Sequence, residues 1–359
     1  MSGRISSFAS PLSQEYLMQS MQSQLSTLTN EASSGTLANP AAAMGADAAA
    51  LYRLQADANE QNTLQTTTTD AGNRLNAVQD ALTSMATSVQ SIATATINSA
   101  ATTPEGQSAL AEQASTTMSQ VLNLLNTQYE GSAVFGGDAT SGLPMVSADA
   151  AGGPQDTVNA VLDAAVAAKG GPLSSSDINN LIDGPNGLSS VFSNTNSNPA
   201  LNYNGSFYTG STDGQPTKVL IGLNQTVQYN TSANQPAFTD LLKGLSMLSM
   251  LNAPSSQLDD TAKTTLLQQA TTVINQAQDE LTTQQGELGT VQSQLQQVSD
   301  AQQAAYNATT QQITTMEQAD PTKISTQLTA LQTQLEASYE VTAQISQLSL
   351  VHYLPTLTS

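Results

Sequence analysis

Apolar side chains recur at helical spacing near the start of this chain. A run with alternating steps of four and three residues predicts one buried stripe along a helix: Ala71, Leu75, Val78, Leu82, Met85, Val89 and Ile92. A second helix is expected to begin at Pro104 and to run through Leu110, Ala114, Val121, Leu124 and Leu125. A shorter stripe lies upstream, at Leu17, Met21, Leu25 and Leu28. The pattern predicts amphipathic helices over about the first 135 residues.

The last part of the chain has the same kind of pattern. Ile274, Leu281, Leu288 and Leu295 recur every seven residues, with Ala270, Ala277, Val291, Val298 and Ala305 at most of the complementary positions. Asp320-Pro321 indicates that a new helix begins, with a stripe at Ile324, Leu328, Leu331, Leu335, Val341, Ile345, Leu348 and Leu350. Each helix can bury only one stripe and therefore needs a partner, and the nearest partner is the other end of the chain.

The middle of the chain, from about residue 136 to 260, holds most of the Gly, Pro and Asn. Its pattern predicts a short helix over 156–168, a strand over 203–208, a hairpin of 218–221 with 226–229, and a helix over 238–250. The predicted fold class is mainly α. Both chain ends form a long antiparallel helical coiled coil or bundle, and a small α+β or β-rich domain is inserted between them.

The faces beside the apolar stripes are polar but carry little charge. Coiled coils usually have Glu and Lys at these positions, where charge pairs fix the register, whereas this chain has Gln, Thr and Ser. These faces are therefore predicted to contact neighbouring subunits. The stripes in 1–40 and 320–354 are narrow, so these segments are predicted to order only on assembly, whereas 45–130 and 261–318 should form a stable paired rod.

Composition excludes several classes of partner. The chain has 8 Lys+Arg against 28 Asp+Glu, and its basic residues do not cluster, which argues against binding to nucleic acid or to an anionic membrane. It has no Cys, so disulfides and Cys-ligated metals are excluded. No stretch of 18 apolar residues predicts a membrane helix, and the N-terminal residues do not resemble a cleaved signal peptide.

The sequence offers no convincing catalytic or metal-binding group, so we predict that the protein is not an enzyme and needs no cofactor. His352 is the single His and lies in the tail without a His/Cys cluster around it. Asp279-Glu280 is interpreted as part of a solvated helix face. Tyr203, Tyr208 and Tyr229 could form a ligand-binding face, but packing on the sheet is favoured. A hydrolase in the insert would need a nucleophile–base pair, and activity screening of 138–260 would test for one.

Four places in the chain resemble the bacterial flagellin family, including its hook–filament junction proteins. One is the Ser33-Ser34-Gly35 turn followed by Asn39-Pro40. The second is the turn Phe135-Gly136-Gly137, and the third is the segment 234–242, which resembles the link into the returning helix. The fourth, 335–354, is similar to the family's C-terminal polymerisation helix. Two positions depart from the family pattern. The family often has a basic residue where this chain has Thr36, and it often has Asp where this chain has Asn39. A salt bridge at that turn is therefore not expected, although the turn itself is.

The resemblance implies a division into five segments. These are an N-terminal polymerisation segment (1–44), N-terminal rod helices (45–137), a central variable domain (138–260), a C-terminal rod helix (261–319) and a C-terminal polymerisation helix (320–359). Two sets of residues follow. The assembly residues are Leu17, Met21, Leu25, Leu28, Ile324, Leu328, Leu331, Leu335, Val341, Ile345, Leu348 and Leu350, and the rod seam is Leu75, Val78, Leu82, Met85, Val89, Ile92, Ile274, Leu281, Leu288 and Leu295.

The implied function is that of a structural subunit which joins the flagellar hook to the filament, as hook-associated protein 3 does. The expected partners are further copies of the chain, a neighbouring hook-associated protein, flagellin and a cytoplasmic export chaperone. The expected location is the extracellular flagellum, reached through the flagellar type III apparatus. Two alternatives stay open: a flagellin that forms the filament and supports motility, and another secreted coiled-coil structural protein.

Overall fold

The computed structural model describes residues 6–98, 103–138, 142–148, 150–222 and 225–353, with side chains described from residue 13 to residue 344. Its α-helices are α1 (Ser6–Ser34), α2 (Pro40–Met44), α3 (Ala48–Ile97), α4 (Pro104–Leu125), α5 (Pro154–Lys169), α6 (Ser175–Asp183), α7 (Leu188–Phe192), α8 (Tyr203–Ser206), α9 (Pro236–Ser249), α10 (Asp260–Glu317) and α11 (Pro321–Tyr353). Its strands are β1 (Gln128–Tyr129), β2 (Ser132–Ala133), β3 (Thr217–Gly222) and β4 (Gln225–Tyr229). The mainly α fold class is confirmed, with long helices at both ends and a small sheet in the insert.

The chain forms two compact units. One comprises Met1–Asn62 and Gln303–Ser359, and the other comprises Thr63–Gln302. The first unit brings the two chain ends together, because α1 packs against α11. Its core contains Met21, Leu331 and Leu335, against which Met18, Leu25 and Leu28 pack.

Backbone hydrogen bonds join the two chain ends where α1 and α10 finish. Gly35 has φ +71°, which favours glycine, and so allows the chain to turn after α1. Leu37 N then donates to Glu317 O (2.8 Å), and Ala319 N donates to Gly35 O (2.9 Å). This antiparallel bridge pairs Thr36 with Gln318. The turn predicted here therefore forms through the backbone and needs no basic residue at position 36.

Helix-initiating residues explain where the neighbouring helices begin. Asn39 Oδ1 accepts a hydrogen bond from Ala42 N (3.2 Å), so Asn caps α2 as an Asp would. Asp320 Oδ1 accepts from Thr322 N (2.9 Å), with Pro321 at the first helical position of α11. The predicted helix restart at Asp320-Pro321 is confirmed, as is the start of α4 at Pro104.

In the second unit, the predicted stripes of α3 and α10 are buried in one hydrophobic core. From Leu75 to Ile92 every predicted seam residue of α3 is fully buried, and so are Ile274 and Leu281. Leu288 and Leu295 are 2% and 3% exposed. Helix α4 and helix α9 pack against each other within the same core. Farther along α10, in the first unit, Ala305 is exposed, so its predicted place on the buried stripe is wrong.

Polar side chains beside this seam pair across the rod. Gln292 Nε2 donates to Asn76 Oδ1 (2.9 Å), and Gln278 Nε2 donates to Gln90 Oε1. Between them, Gln79 Nε2 donates to the Gln285 carbonyl (3.1 Å). Residue numbers rise on α3 as they fall on α10, so the two helices run antiparallel. These side chains are therefore hydrogen-bonded within the chain, and their contact with neighbouring subunits stays a prediction.

The insert combines short helices with a hairpin. The predicted helix near 156–168 is α5, and the hairpin is β3 with β4, in which Val219 faces Val227. The predicted strand over 203–208 is wrong. Tyr203–Ser206, labelled α8, is a tight turn, because the backbone angles of Asn204 and Gly205 are not helical. After it, Phe207 N and Tyr208 N both donate to Tyr203 O at 2.9 Å. The helices α6 and α7 were not predicted; α6 begins with a capping box formed by Ser174 and Asp177.

Candidate assembly surfaces

The pair formed by α1 and α11 buries one part of its apolar stripe and exposes another. Met21, Ile324, Leu331 and Leu335 are at most 7% exposed, while Leu25, Leu28 and Leu328 are half-buried. In contrast, Leu17 is 56% exposed and Val341 is 48% exposed. The predicted side chains of Ile345, Leu348 and Leu350 lie outside the described residues. The structure thus divides the predicted assembly residues into an intrachain core and an exposed apolar strip.

Two further large side chains are exposed on the same pair of helices, both of them tyrosines, and sequence reasoning missed both. Tyr16 is 78% exposed, and Tyr339 is 50% exposed with its hydroxyl accepting a hydrogen bond from Gln22 Nε2 (2.8 Å). A groove of about 210 Å³ runs between these two helices and is lined by Leu17, Met18, Ala337, Val341 and neighbouring polar side chains. We name the four exposed side chains Tyr16, Leu17, Tyr339 and Val341 the terminal strip. Large apolar side chains that stay exposed on a pair of packed helices are candidates for protein–protein contact.

The predicted turn at Phe135-Gly136-Gly137 lies inside the core of the second unit. Phe135 is fully buried, and its ring packs edge-on against Phe238 with centroids 5.5 Å apart. Backbone bonds hold the turn from two directions, since Ala233 N donates to Phe135 O (2.8 Å) and Ser211 N donates to Gly136 O (3.0 Å). Gly137 has φ +64°, so a side chain there would be strained. The turn therefore fixes the start of the insert to the segment that leaves it.

An aromatic cluster supports this turn. Tyr203 packs on Phe192 and Phe207, and its hydroxyl donates to Ala233 O (2.7 Å). Tyr208 shares a hydrogen bond with Ser232 Oγ (2.6 Å). Burial raises the pKa of both tyrosines above the usual value, so the hydroxyls stay protonated and act as structural donors. Tyr203 and Tyr208 thus pack within an aromatic core, and neither forms the expected sheet-packing face.

The described residues contain neither a cluster of three metal-binding side chains nor a membrane-spanning helix. Within them, no three His, Asp or Glu side chains converge as a metal site would require. No described helix is long and apolar enough to cross a membrane. What the geometry provides is a helical rod with a buried seam, an anchored insert, and an apolar strip on the paired chain ends.

Comparison with known families agrees with this arrangement. The chain matches the bacterial flagellin N-terminal helical region over residues 5–140 and the bacterial flagellin C-terminal helical region over residues 271–354. The chain belongs to the bacterial flagellin family. Flagellins are structural proteins of the bacterial flagellum, so this flagellin-family chain is a structural component of that organelle. Because the chain belongs to this family, the alternative of an unrelated secreted coiled-coil protein is excluded.

Two solved structures resemble this flagellin-family chain at low identity. Bacillus cereus FlgL is 15% identical with a TM-score of 0.48, and the match covers 73% of this chain and 99% of FlgL. A structure named as a flagellar hook-associated protein from Vibrio parahaemolyticus is 14% identical with a TM-score of 0.40, covering 81% of this chain and 94% of that one. No curated protein sequence matches the chain. The family assignment therefore rests on the two matched helical regions.

Proposed function

We propose that this flagellin-family chain joins the flagellar hook to the filament, as a subunit of the hook-associated protein 3 type. The terminal strip carries the proposal, because it leaves four large apolar side chains exposed on paired chain ends. Burial against a neighbouring subunit would remove this surface from water, at about 25 cal/mol for each Å² of apolar area. The same contact would order the chain ends, which is how folding becomes coupled to assembly.

Two features favour a junction subunit over a filament flagellin. The insert is small, about 120 residues by the sequence division. The Phe135-Gly136-Gly137 turn, which resembles that of junction proteins, is buried and bonded on both sides. A filament flagellin is the second candidate, because the terminal strip would serve a long polymer equally well. Export unfolded through the type III channel, with a chaperone covering α11, belongs to the same proposal.

Localisation separates the two candidates. A fluorescently labelled chain should appear as a single focus at the hook tip, and a deletion strain should keep its hooks while releasing flagellin into the medium. Label along the whole filament, together with loss of the filament on deletion, would refute the junction role and support the flagellin alternative.

Deletion of residues 320–359 tests the role of the tail. This removes α11, but the core of Thr63–Gln302 contains none of these residues. We expect a protein whose central region still unfolds cooperatively and which no longer joins isolated flagella. If the truncated protein were still incorporated into flagella, α11 would not be the polymerisation helix.

Point variants separate assembly from intrachain packing. Leu17→Ser together with Val341→Ser should leave the Met21–Leu331–Leu335 core intact, because both side chains are exposed, and should abolish incorporation. Thr329→Ala is the matched control, since Thr329 is an exposed polar residue of α11. Incorporation is measured as the fraction of protein that sediments with flagella, and helical content is followed by circular dichroism. Normal incorporation of the double variant would refute the role of the terminal strip.

A further inference from the structure

Methionine side chains are protected from solvent to different degrees in the two units. In the second unit, the methionines are at most 3% exposed: Met85, Met118, Met145, Met247 and Met250. In the first unit, Met21 is 7% exposed, and three described methionines are only half-buried: Met18, Met44 and Met316. A small oxidant dissolved in water has to contact the sulfur atom to react with it. The thioethers of the first unit are therefore the first to be oxidised.

Met18 differs from the other two half-buried methionines in what it packs against. It packs on the core cluster that joins α1 to α11, which is formed by Met21, Leu331 and Leu335. Among the described residues, neither Met44 nor Met316 belongs to a hydrophobic core cluster. The side chain of Met18 also lines the groove of about 210 Å³ between α1 and α11. Met18 is thus accessible from solvent and is also part of the contact that pairs the chain ends.

Hydrogen peroxide can oxidise this thioether without a further catalytic group. The sulfur attacks one peroxide oxygen, so that an S–O bond forms and the O–O bond breaks. The released hydroxide then takes the proton from the oxygen on sulfur. The products are methionine sulfoxide and water, because the sulfur loses two electrons and the peroxide gains them.

Oxidation changes the chemistry of the contact between the helices. The thioether is apolar and flexible, which suits it to filling gaps in a core. The sulfoxide is polar, and its oxygen accepts hydrogen bonds. A hydrogen-bond acceptor placed against Met21, Leu331 and Leu335 costs free energy unless a donor reaches it. The core cluster between α1 and α11 contains only these three buried side chains among the described residues, so little packing is available to offset the cost.

We propose that Met18 is an oxidation site, at which a peroxide forms the sulfoxide and thereby loosens the pairing of α1 with α11. The groove that Met18 lines is also lined by Leu17 and Val341, which belong to the terminal strip. Oxidation of Met18 therefore disturbs the terminal strip and reduces incorporation into flagella. This last step rests on the proposed function, whereas the loosening of the helix pair does not. Methionine sulfoxide reductases return the thioether, so the modification is reversible.

Mass spectrometry tests the site and its structural effect on the full chain. After treatment with hydrogen peroxide, the sulfoxide fraction at each methionine is measured in proteolytic peptides. Met18 should oxidise about tenfold faster or more than the buried methionines of the second unit. Amide hydrogen exchange in α1 and α11 should then become about tenfold faster, because the sulfoxide lowers the free energy needed to open the pair. Exchange in α4 and α9, which pack against each other in the second unit, should stay unchanged.

Two variants assign the effect to Met18. Met18→Leu keeps an apolar side chain of similar volume, so exchange in α1 and α11 should stay slow after peroxide treatment. Met44→Leu combined with Met316→Leu is the matched control, which removes the other half-buried methionines and should remain sensitive to peroxide. Circular dichroism of the untreated variants shows that they fold. Treatment of the oxidised wild-type chain with methionine sulfoxide reductases should restore slow exchange. The proposal is overturned if Met18→Leu is as sensitive as the wild-type chain, or if Met18 sulfoxide forms without faster exchange in α1 and α11.

Sedimentation with isolated flagella tests the consequence for assembly. A smaller fraction of the oxidised wild-type protein should sediment with flagella than of the untreated protein, whereas oxidised Met18→Leu should sediment as well as untreated Met18→Leu. Equal sedimentation of oxidised and untreated wild-type protein, with fast exchange in the oxidised sample, would overturn the effect on assembly. If the untreated wild-type chain does not join flagella at all, the proposed function fails, and the exchange measurements still decide whether Met18 controls the helix pair.

Discussion

Helix α9 lies so close to α10 at Gly244 that a single methyl group should decide the stability of the second unit. A Cβ at this position would lie 2.7 Å from Ile274 Cδ1, 2.9 Å from Ile274 Cγ1 and 3.3 Å from Val273 Cγ1. Ile274 belongs to the buried seam and is fully buried. In a helix, β-branched side chains hold one strongly preferred χ1 rotamer, so Ile274 cannot swing aside freely.

Two opposing effects determine whether Gly244→Ala raises or lowers the free energy of unfolding. Replacing Gly by Ala within a helix favours folding by about 1 kcal/mol. Inserting a methyl group into a packed core disfavours folding by about 1–3 kcal/mol, and the steric contact with the seam places this site toward the upper end. We expect Gly244→Ala to lower the free energy of unfolding by about 1–2 kcal/mol, which corresponds to a Tm lower by about 2–8 °C for a unit of this size.

Urea and thermal unfolding of four variants measure this balance. Gly286→Ala is the matched control, because a Cβ at Gly286 on α10 meets no described atom within 4 Å; it should stabilise the protein by up to about 1 kcal/mol. Ile274→Val removes the Cδ1 atom that the new methyl group would meet. The stability loss of the double variant Gly244→Ala with Ile274→Val should therefore be smaller than the sum of the losses in the two single variants. If Gly244→Ala stabilised the protein as Gly286→Ala does, the close approach of α9 and α10 would be refuted.

Three further predictions concern other parts of the chain. Phe135→Ala should destabilise the second unit by about 3–5 kcal/mol in urea unfolding, because it empties a fully buried site at the anchored turn; a loss below about 1 kcal/mol would contradict this. Leu331→Pro should cost ~3 kcal/mol or more within α11 and abolish incorporation into flagella, whereas Leu331→Met should retain it. Hydrogen bonds from Lys169 and Ser174 lower the pKa of the Asp177 carboxyl from 3.8 to about 2. The stabilisation from these contacts should therefore be complete above about pH 4 and be lost as the pH falls through about 2. NMR titration should show that the pKa of Asp177 rises in Lys169→Met, and an unchanged pKa would exclude Lys169 as the main cause.

The seam illustrates how polar groups can set the register where charges are scarce. The amide pairs Gln278–Gln90 and Gln292–Asn76 join α3 to α10 on the polar flank of a buried stripe. A one-turn shift of either helix would separate these partners while still burying apolar side chains. The amide pairs therefore favour one antiparallel register, a role that Glu–Lys pairs commonly have in coiled coils.

Sequence alone determined those features that depend on spacing along one element. The 4-3 steps from Leu75 to Ile92 predicted which side chains are buried, because the helical period of 3.6 residues places them on one face. Pro104 and Pro321 predicted helix starts for an equally local reason, since proline at the first helical position loses no hydrogen bond. The hairpin of β3 and β4 was likewise predicted from adjacent residues.

Tertiary structure decided the features in which distant residues compete for the same space. The segment 203–208 turns instead of forming a strand because Tyr203 and Phe207 pack with Phe192 in a common core, a contact that no local pattern encodes. Glu280 belongs to a cavity wall because β4 and the start of α9 cover that part of α10. Within the terminal stripes, the packing of α1 against α11 decides that Leu331 is buried and Leu17 exposed. Periodicity places a residue on a helix face, but only the partner's position determines how much of that face is covered.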